Sequence, residues 1–457
     1  MDIRWHLLYS GRRVILCCEP MPLIATLTTL PAKAFNRKIL AQTADWLAVG
    51  VAVSLPWSTT VSGILIALWV LAVFPTLTLD DLRRELFTAA GGLPQALWLL
   101  AAFGMLWADV SWNERLHGLG GFTRLLCIPL LLAQFRRSDC GLVVCRGFFA
   151  SVMILLSLSL VLAVLPSSIV AQISLLHPVK WYGVPVKNYI FQSESFLICA
   201  FVLFGLAFDE VRLRNWRLAA CAIAIAILCL LDIFFVATGR TTLLVAPVLL
   251  LLLGWRQFRW KGLLGACALG GAVSAAVYVE SPYLRERLDT SIADFQAYRR
   301  GDLAVDATSL HMEFLRKSWS ISGTAPIIGH GTGSIAEQFR DAASGQTGVV
   351  GQVTVNPHNQ VFAVTIQIGL IGGVLLAAMW IGHFMLFRGD TLMDWIGTIV
   401  VVENVVSSTV NSHLFDFSQG WLYVFGVGVA GGTILQRRRT DRSGSLWRND
   451  DGGQEAR

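Results

Sequence analysis

Apolar runs of roughly 16 to 25 residues, each flanked by arginine clusters and tryptophan, recur along most of the sequence. Coiled as helix, a run of that length matches the hydrocarbon thickness of a bilayer, and its flanks suit the two interfaces. Only 14% of the 457 residues are charged and 55% are hydrophobic, whereas a soluble domain carries about a quarter charged residues. A soluble enzyme is therefore excluded. The chain reads as an all-α polytopic integral membrane protein. The apolar windows place spans near 44–58, 60–78, 93–107, 119–135, 146–165, 189–208, 216–237, 241–255, 261–279, 360–387, 393–410 and 419–436, about twelve in all.

Alternate connections carry Arg83–Arg84, Arg136–Arg137, Arg212 with Arg214 and Arg217, Arg256 with Arg259 and Lys261, and Arg388. The positive-inside bias makes these connections and both termini cytoplasmic. The expected organisation is a cytoplasmic extension over 1–43, nine spans over 44–279, a large helical outer loop over 280–359, three spans over 360–436, and a disordered cytoplasmic tail over 437–457. The formal charge of +6 follows from this topology and gives no reason to expect a nucleic-acid partner. None of the nine cysteines falls in 280–356, so neither a disulfide framework nor a cysteine metal site is expected there.

Charge within a span is expensive unless paired or solvated. With the orientation above, Arg124, Glu194, Asp232, Arg240 and Glu403, with Gln192, Gln367 and Asn404, fall toward the outer ends of their spans. They read as one polar cavity open to the outside, or else as helix-linking pairs such as Glu194 with Arg240. Arg240 opens a span directly after a short outer turn, which sets a guanidinium beside a helix N-terminus and makes an anion site suited to phosphate. A snorkelling interfacial arginine is the alternative.

In the outer loop, 281–300 and 309–322 have apolar positions at helical spacing, and Pro326 breaks the pattern before the glycine-rich run Gly329–Ser334. That run lacks the Gly-Lys-Ser/Thr ending of a nucleotide phosphate loop and reads as a turn for close backbone approach. His358 stands where the loop re-enters the membrane. An imidazole there titrates near neutrality and can take a proton from a hydroxyl.

His358–Asn359 followed nine residues later by Gly369-x-x-Gly372, with Pro326–Ser334 and Gly239-Arg240-Thr241 upstream, resembles the O-antigen ligase family. The resemblance implies a GT-C-type membrane glycosyltransferase in the bacterial inner membrane, with its active site facing the periplasm. The implied donor is O-antigen on undecaprenyl diphosphate and the implied acceptor is a sugar hydroxyl of lipid A-core. No nucleotide sugar, ATP, other cofactor or metal is implied. By position, His358 takes the role of base or acceptor-positioning group, and Arg240 takes the diphosphate. Family members usually carry an arginine where this sequence has His311. Either His311 protonates to serve the phosphate or Arg316, about one helical turn further on, replaces it. Lys187 and Arg124 are further candidates from their outer-side depth alone, and Asn359 completes the expected substrate-binding set. The alternatives are a polysaccharide polymerase of the same superfamily and, in a different class, a lipid-linked glycan transporter.

Overall fold

A computed structural model describes residues 37–450 except 167, 171–182, 238 and 302–305. Helix dominates, with no strand among the described residues. The first half comprises α1 (Arg37–Ser54), α2 (Thr59–Val73), α3 (Leu79–Leu86), α4 (Ala89–Gly104), α5 (Trp112–Thr123), α6 (Cys127–Phe135), α7 (Gly141–Val164), α8 (Tyr189–Arg212) and α9 (Trp216–Phe235). The second half comprises α10 (Arg240–Glu280), α11 (Pro282–Arg299), α12 (Ala307–Thr324), α13 (Ile335–Ala343), α14 (Gln360–Leu386), α15 (Leu392–Ser407) and α16 (Phe417–Asp450). All twelve apolar stretches fall largely on helix. Seven helical stretches are long and apolar enough to cross a membrane, or eight if α3 and α4, bent by 87°, form one broken span. The chain is a multi-pass membrane protein.

The helices depart from a simple run of straight spans in three places. First, α10 doubles back: Arg259 has φ 55° and ψ −138°, Gly254 and Gly262 touch backbone to backbone, and Gly270 reaches the Leu250 side chain. The stretches 241–255 and 261–279 are thus two arms of one tight hairpin, and glycine at both contact points permits the approach. Second, α14 breaks at Ile368 and Gly369, whose φ and ψ are non-helical. Third, α16 continues as helix to Asp450, into the stretch expected to be a disordered tail. Arg438 donates to the Leu386 carbonyl at 3.0 Å and lies 3.7 Å from Asp394, which fastens the first turns beyond the apolar stretch. At the other end, α1 already begins at Arg37, inside the expected extension; residues 1–36 and 451–457 lie outside the described residues.

One apolar core runs through the bundle, built from α1, α2, α4 to α10 and α14 to α16. Helix α8 is its axis: 78% of its most apolar window is buried, against 33% for α7 and α9. Those neighbours turn residues such as Ile154 and Leu231 outward, as helices in contact with lipid do. A second, smaller core joins the loop helices to the membrane bundle, with Phe314 and Ile321 of α12 and Ile335 and Phe339 of α13 packed on Ala363 and Ile366 of α14. The loop is therefore anchored on the half of α14 that begins beside His358.

Candidate functional site

The glycine-rich run docks into the break in α14. Leu370 N donates to the Pro326 carbonyl at 2.8 Å, His330 N to Ile366 O at 2.8 Å and Gly331 N to Gln367 O at 2.8 Å. Backbone groups left open by the broken helix are thereby satisfied from the loop. Gly329, Gly331, Gly333 and Gly369 all have positive φ, and a Cβ on any of them would lie within 2.5 Å of neighbouring backbone. The expected close backbone approach occurs here, between protein segments. Gln367, one of the polar residues expected to line the cavity, is used in this joint, where its Oε1 accepts from Gly333 N at 2.8 Å.

His358 sits in the left-handed region, with φ 53°, a conformation that costs a non-glycine residue about 1–2 kcal/mol. Its neighbours impose it. Asn356 Oδ1 accepts from His358 N at 2.9 Å, and Asn359 caps α14 by accepting from Val361 N and Phe362 N. Gln360 is buried, donating its N–H to Ser408 O and accepting from Leu414 N. The imidazole stacks on Phe314, with ring centres 5.9 Å apart and planes 11° apart, and lies 5.4 Å from the His311 ring. Burial pushes the His358 pKa below its usual 6.5, while a hydrogen bond to the Asn411 side chain works the other way. The ring is thus half-buried, and burial favours its neutral form.

Burial, the nearby His358 and the charge on Arg240 together lower the His311 pKa to about 4. Arg240 is exposed at the first residue of α10 and has no hydrogen-bond or ion-pair partner among the described residues. Gly239 caps that helix and packs on Ser193 of α8, whose Oγ accepts from Thr242 Oγ1 at 2.9 Å. The helix end is therefore fixed against the bundle axis, while its guanidinium has no partner among the described residues. His311 of α12 thus feels both Arg240, at the start of α10, and His358, at the entry to α14.

The other expected residues have other partners. Arg316 makes a two-pronged contact with Glu313, at 2.6 and 2.9 Å, and Tyr298 donates to the same carboxylate; its guanidinium is committed. Lys187 donates to the Leu55 carbonyl and, at 2.9 Å, to Ser418 Oγ, with Phe191 under its ammonium. Burial lowers its pKa to about 8. Arg124 donates to the Asp416 and Phe415 carbonyls and so fastens the 411–418 loop. Asn359 acts as helix cap, with its amide also donating to Thr409 O at 2.9 Å.

Several of the polar residues expected to line one outward cavity have protein neighbours of their own. Ser159 Oγ lies within hydrogen-bond distance of both Asp232 Oδ2 and the Gly183 carbonyl, and Gln192 Nε2 donates to that carbonyl. Glu194 faces His413, with Oε1 to Nδ1 3.3 Å, and lies with Glu403, so the alternative Glu194–Arg240 pair is absent. Sequence reasoning missed Asn411 and His413. Asn411 Oδ1 accepts from Asn356 Nδ2 at 3.0 Å, and His413 is near enough to His358 to feel its charge, although burial is the main cause of its pKa falling to about 4. A usable signal was present: Asn411-Ser412-His413 repeats the Asn-x-His spacing of Asn356-Pro357-His358.

Residues 224–377 match the family model described as O-antigen ligase, a segment that contains Arg240, His311, His358 and the whole docked glycine run. No curated protein matches the chain.

Proposed function

Taking as premise that the chain belongs to the O-antigen ligase family through residues 224–377, we propose that it is a GT-C-type glycosyltransferase with about twelve spans. It transfers O-antigen from undecaprenyl diphosphate to a sugar hydroxyl of lipid A-core at the periplasmic face of the inner membrane. The observation that carries this reading is that His311 lies 5.4 Å from the His358 ring and also feels the charge of Arg240, a guanidinium at a helix N-terminus with no hydrogen-bond or ion-pair partner among the described residues.

The chemistry follows from those two groups. The acceptor hydroxyl gives its proton to an unprotonated ring nitrogen of His358 as its oxygen bonds to the anomeric carbon. The bond from that carbon to the diphosphate breaks, and its electron pair leaves on the phosphate oxygen. Arg240 and the helix N-terminus hold that developing charge, the kind of preorganised stabilisation worth about 10²–10³ in rate per donor. His311 borders both groups; an incoming diphosphate would raise its pKa by supplying the opposite charge.

The test is a gene deletion complemented with wild type or His358→Ala and read on a lipopolysaccharide gel. Loss of the whole O-antigen ladder with accumulation of lipid-linked polymer, restored only by wild type, is the expected result. A surviving single core-linked repeat would identify a polymerase instead, and restoration by His358→Ala would remove the imidazole from the mechanism.

A further inference from the structure

Behind His358, at the level of the 411–418 loop, three elements bring together Glu194 of α8, Glu403 of α15 and His413 of the loop. One ligating atom from each lies within 4.8 Å of the other two, and all three residues are buried. Atoms bound to a common Zn²⁺ or Mn²⁺ at about 2.0–2.2 Å would lie about 3–4 Å apart, a small contraction from the distances present. Both Glu194 oxygens, Glu403 Oε1 and both His413 ring nitrogens have no hydrogen-bond partner among the described residues. The same is true of the Asn404 amide and the Ser412 hydroxyl, immediate neighbours of two of the three. Gln419 approaches Glu194, and Ser407 approaches Glu403, without closing a hydrogen bond to those unpaired atoms.

No cation among the described residues offsets the two carboxylates. Asp416 adds negative charge at Glu194, and the His413 imidazole, with Nδ1 3.3 Å from Glu194 Oε1, is neutral unless protonated. Two buried carboxylates without a counter-charge would cost several kcal/mol each. A divalent ion offsets both and gives the imidazole a partner. The imidazole suits Zn²⁺ and the two carboxylates suit Zn²⁺ or Mn²⁺, so a mixed set of this kind favours a first-row transition ion.

We propose that Glu194, Glu403 and His413 bind one divalent transition-metal ion of the Zn²⁺ or Mn²⁺ class, which ties α8, α15 and the 411–418 loop together. The ion is structural. It fixes Asn411, two residues before His413, and through Asn411 the Asn356 and His358 turn, so its residues are positioning residues and need not touch substrate. The proposal is independent of the ligase reading, because it is tested by metal content.

Detergent-purified full-length protein is stripped with chelator, reloaded with Zn²⁺ or Mn²⁺ alone, desalted and assayed for bound metal and thermal unfolding. Wild type and His358→Ala are each expected to retain one equivalent and to unfold at higher temperature when loaded. Glu403→Gln and Glu194→Gln are expected to bind at least about tenfold more weakly while remaining folded, since each substitution removes a buried charge. Failure of wild type to take up either ion, or equal uptake by the two glutamine variants, would overturn the proposal; in the first case the trio is held by shared protons.

Discussion

The most informative stability perturbation is Gly369→Ala, at the break in α14. Gly369 has φ 66° and ψ −166°, a region open essentially to glycine alone, so any side chain there costs about 1–3 kcal/mol in backbone strain. In addition, the new Cβ would lie 2.1 Å from the Ile327 carbonyl oxygen and 2.5 Å from Ile328 N, and neither backbone atom can yield without moving the docked loop. That movement puts at risk the hydrogen bonds from Leu370 N and Ile371 N to the carbonyls of Pro326 and Ile327 and those from His330 N and Gly331 N to α14. At about 1 kcal/mol each, losing two to four of them brings the expected cost to about 3–7 kcal/mol. Gly323 is the control: it lies in α12, and a Cβ there meets nothing within 4 Å, so Gly323→Ala should be neutral or stabilising by up to about 1 kcal/mol. Thermal unfolding of both variants in detergent, followed by tryptophan fluorescence, measures the difference. If Gly369→Ala unfolds at the same temperature as Gly323→Ala, the loop does not hold the broken helix and the docked joint is wrong.

Three further outcomes are expected from the site. Arg240→Lys should lose most transfer activity, by about 10²-fold, because an ammonium cannot reproduce a forked contact to diphosphate; steady-state transfer with purified donor and acceptor checks this. Since burial lowers the His358 pKa below 6.5 and the unprotonated ring is the active form, the rate should fall as pH drops through that pKa. The acid limb of the rate profile should therefore lie below pH 6.5 and be absent from the residual activity of His358→Ala. Arg124→Ala should lower thermal stability by about 2–3 kcal/mol, because it strips donors from the Phe415 and Asp416 carbonyls, and an unchanged unfolding temperature would show that the loop is held by other contacts.

The helices and the entry point of His358 were legible in the sequence because each depends on local pattern: apolar run length, an asparagine cap, glycines that only a tight joint requires. The α10 hairpin was legible as two runs, although Arg259 reverses the chain within what forms one long helical segment. What stayed hidden was pairing at long range. Arg124, Lys187 and Arg316 were grouped with Arg240 because cations at similar depth look alike in a sequence, yet three of the four are occupied by protein partners. Glu194 and Glu403 stand 209 positions apart, and only the packing of α8 on α15 brings them to His413. Their place on apolar helices was readable; their partner was not. Helix beyond Arg437 was missed for a related reason, since Arg438 gains its anchor from Leu386 and Asp394 on other elements.

The proposed mechanism divides the work between Arg240, which holds the lipid diphosphate, and His358, which takes the acceptor proton. Donor binding and single-turnover transfer, measured on the same reconstituted samples of His358→Ala and Arg240→Ala, separate the two roles. His358→Ala is expected to bind lipid-linked polysaccharide still but not to transfer it, whereas Arg240→Ala is expected to fail to bind it. Transfer at the wild-type rate by either variant, or undiminished donor binding without Arg240, would refute that division.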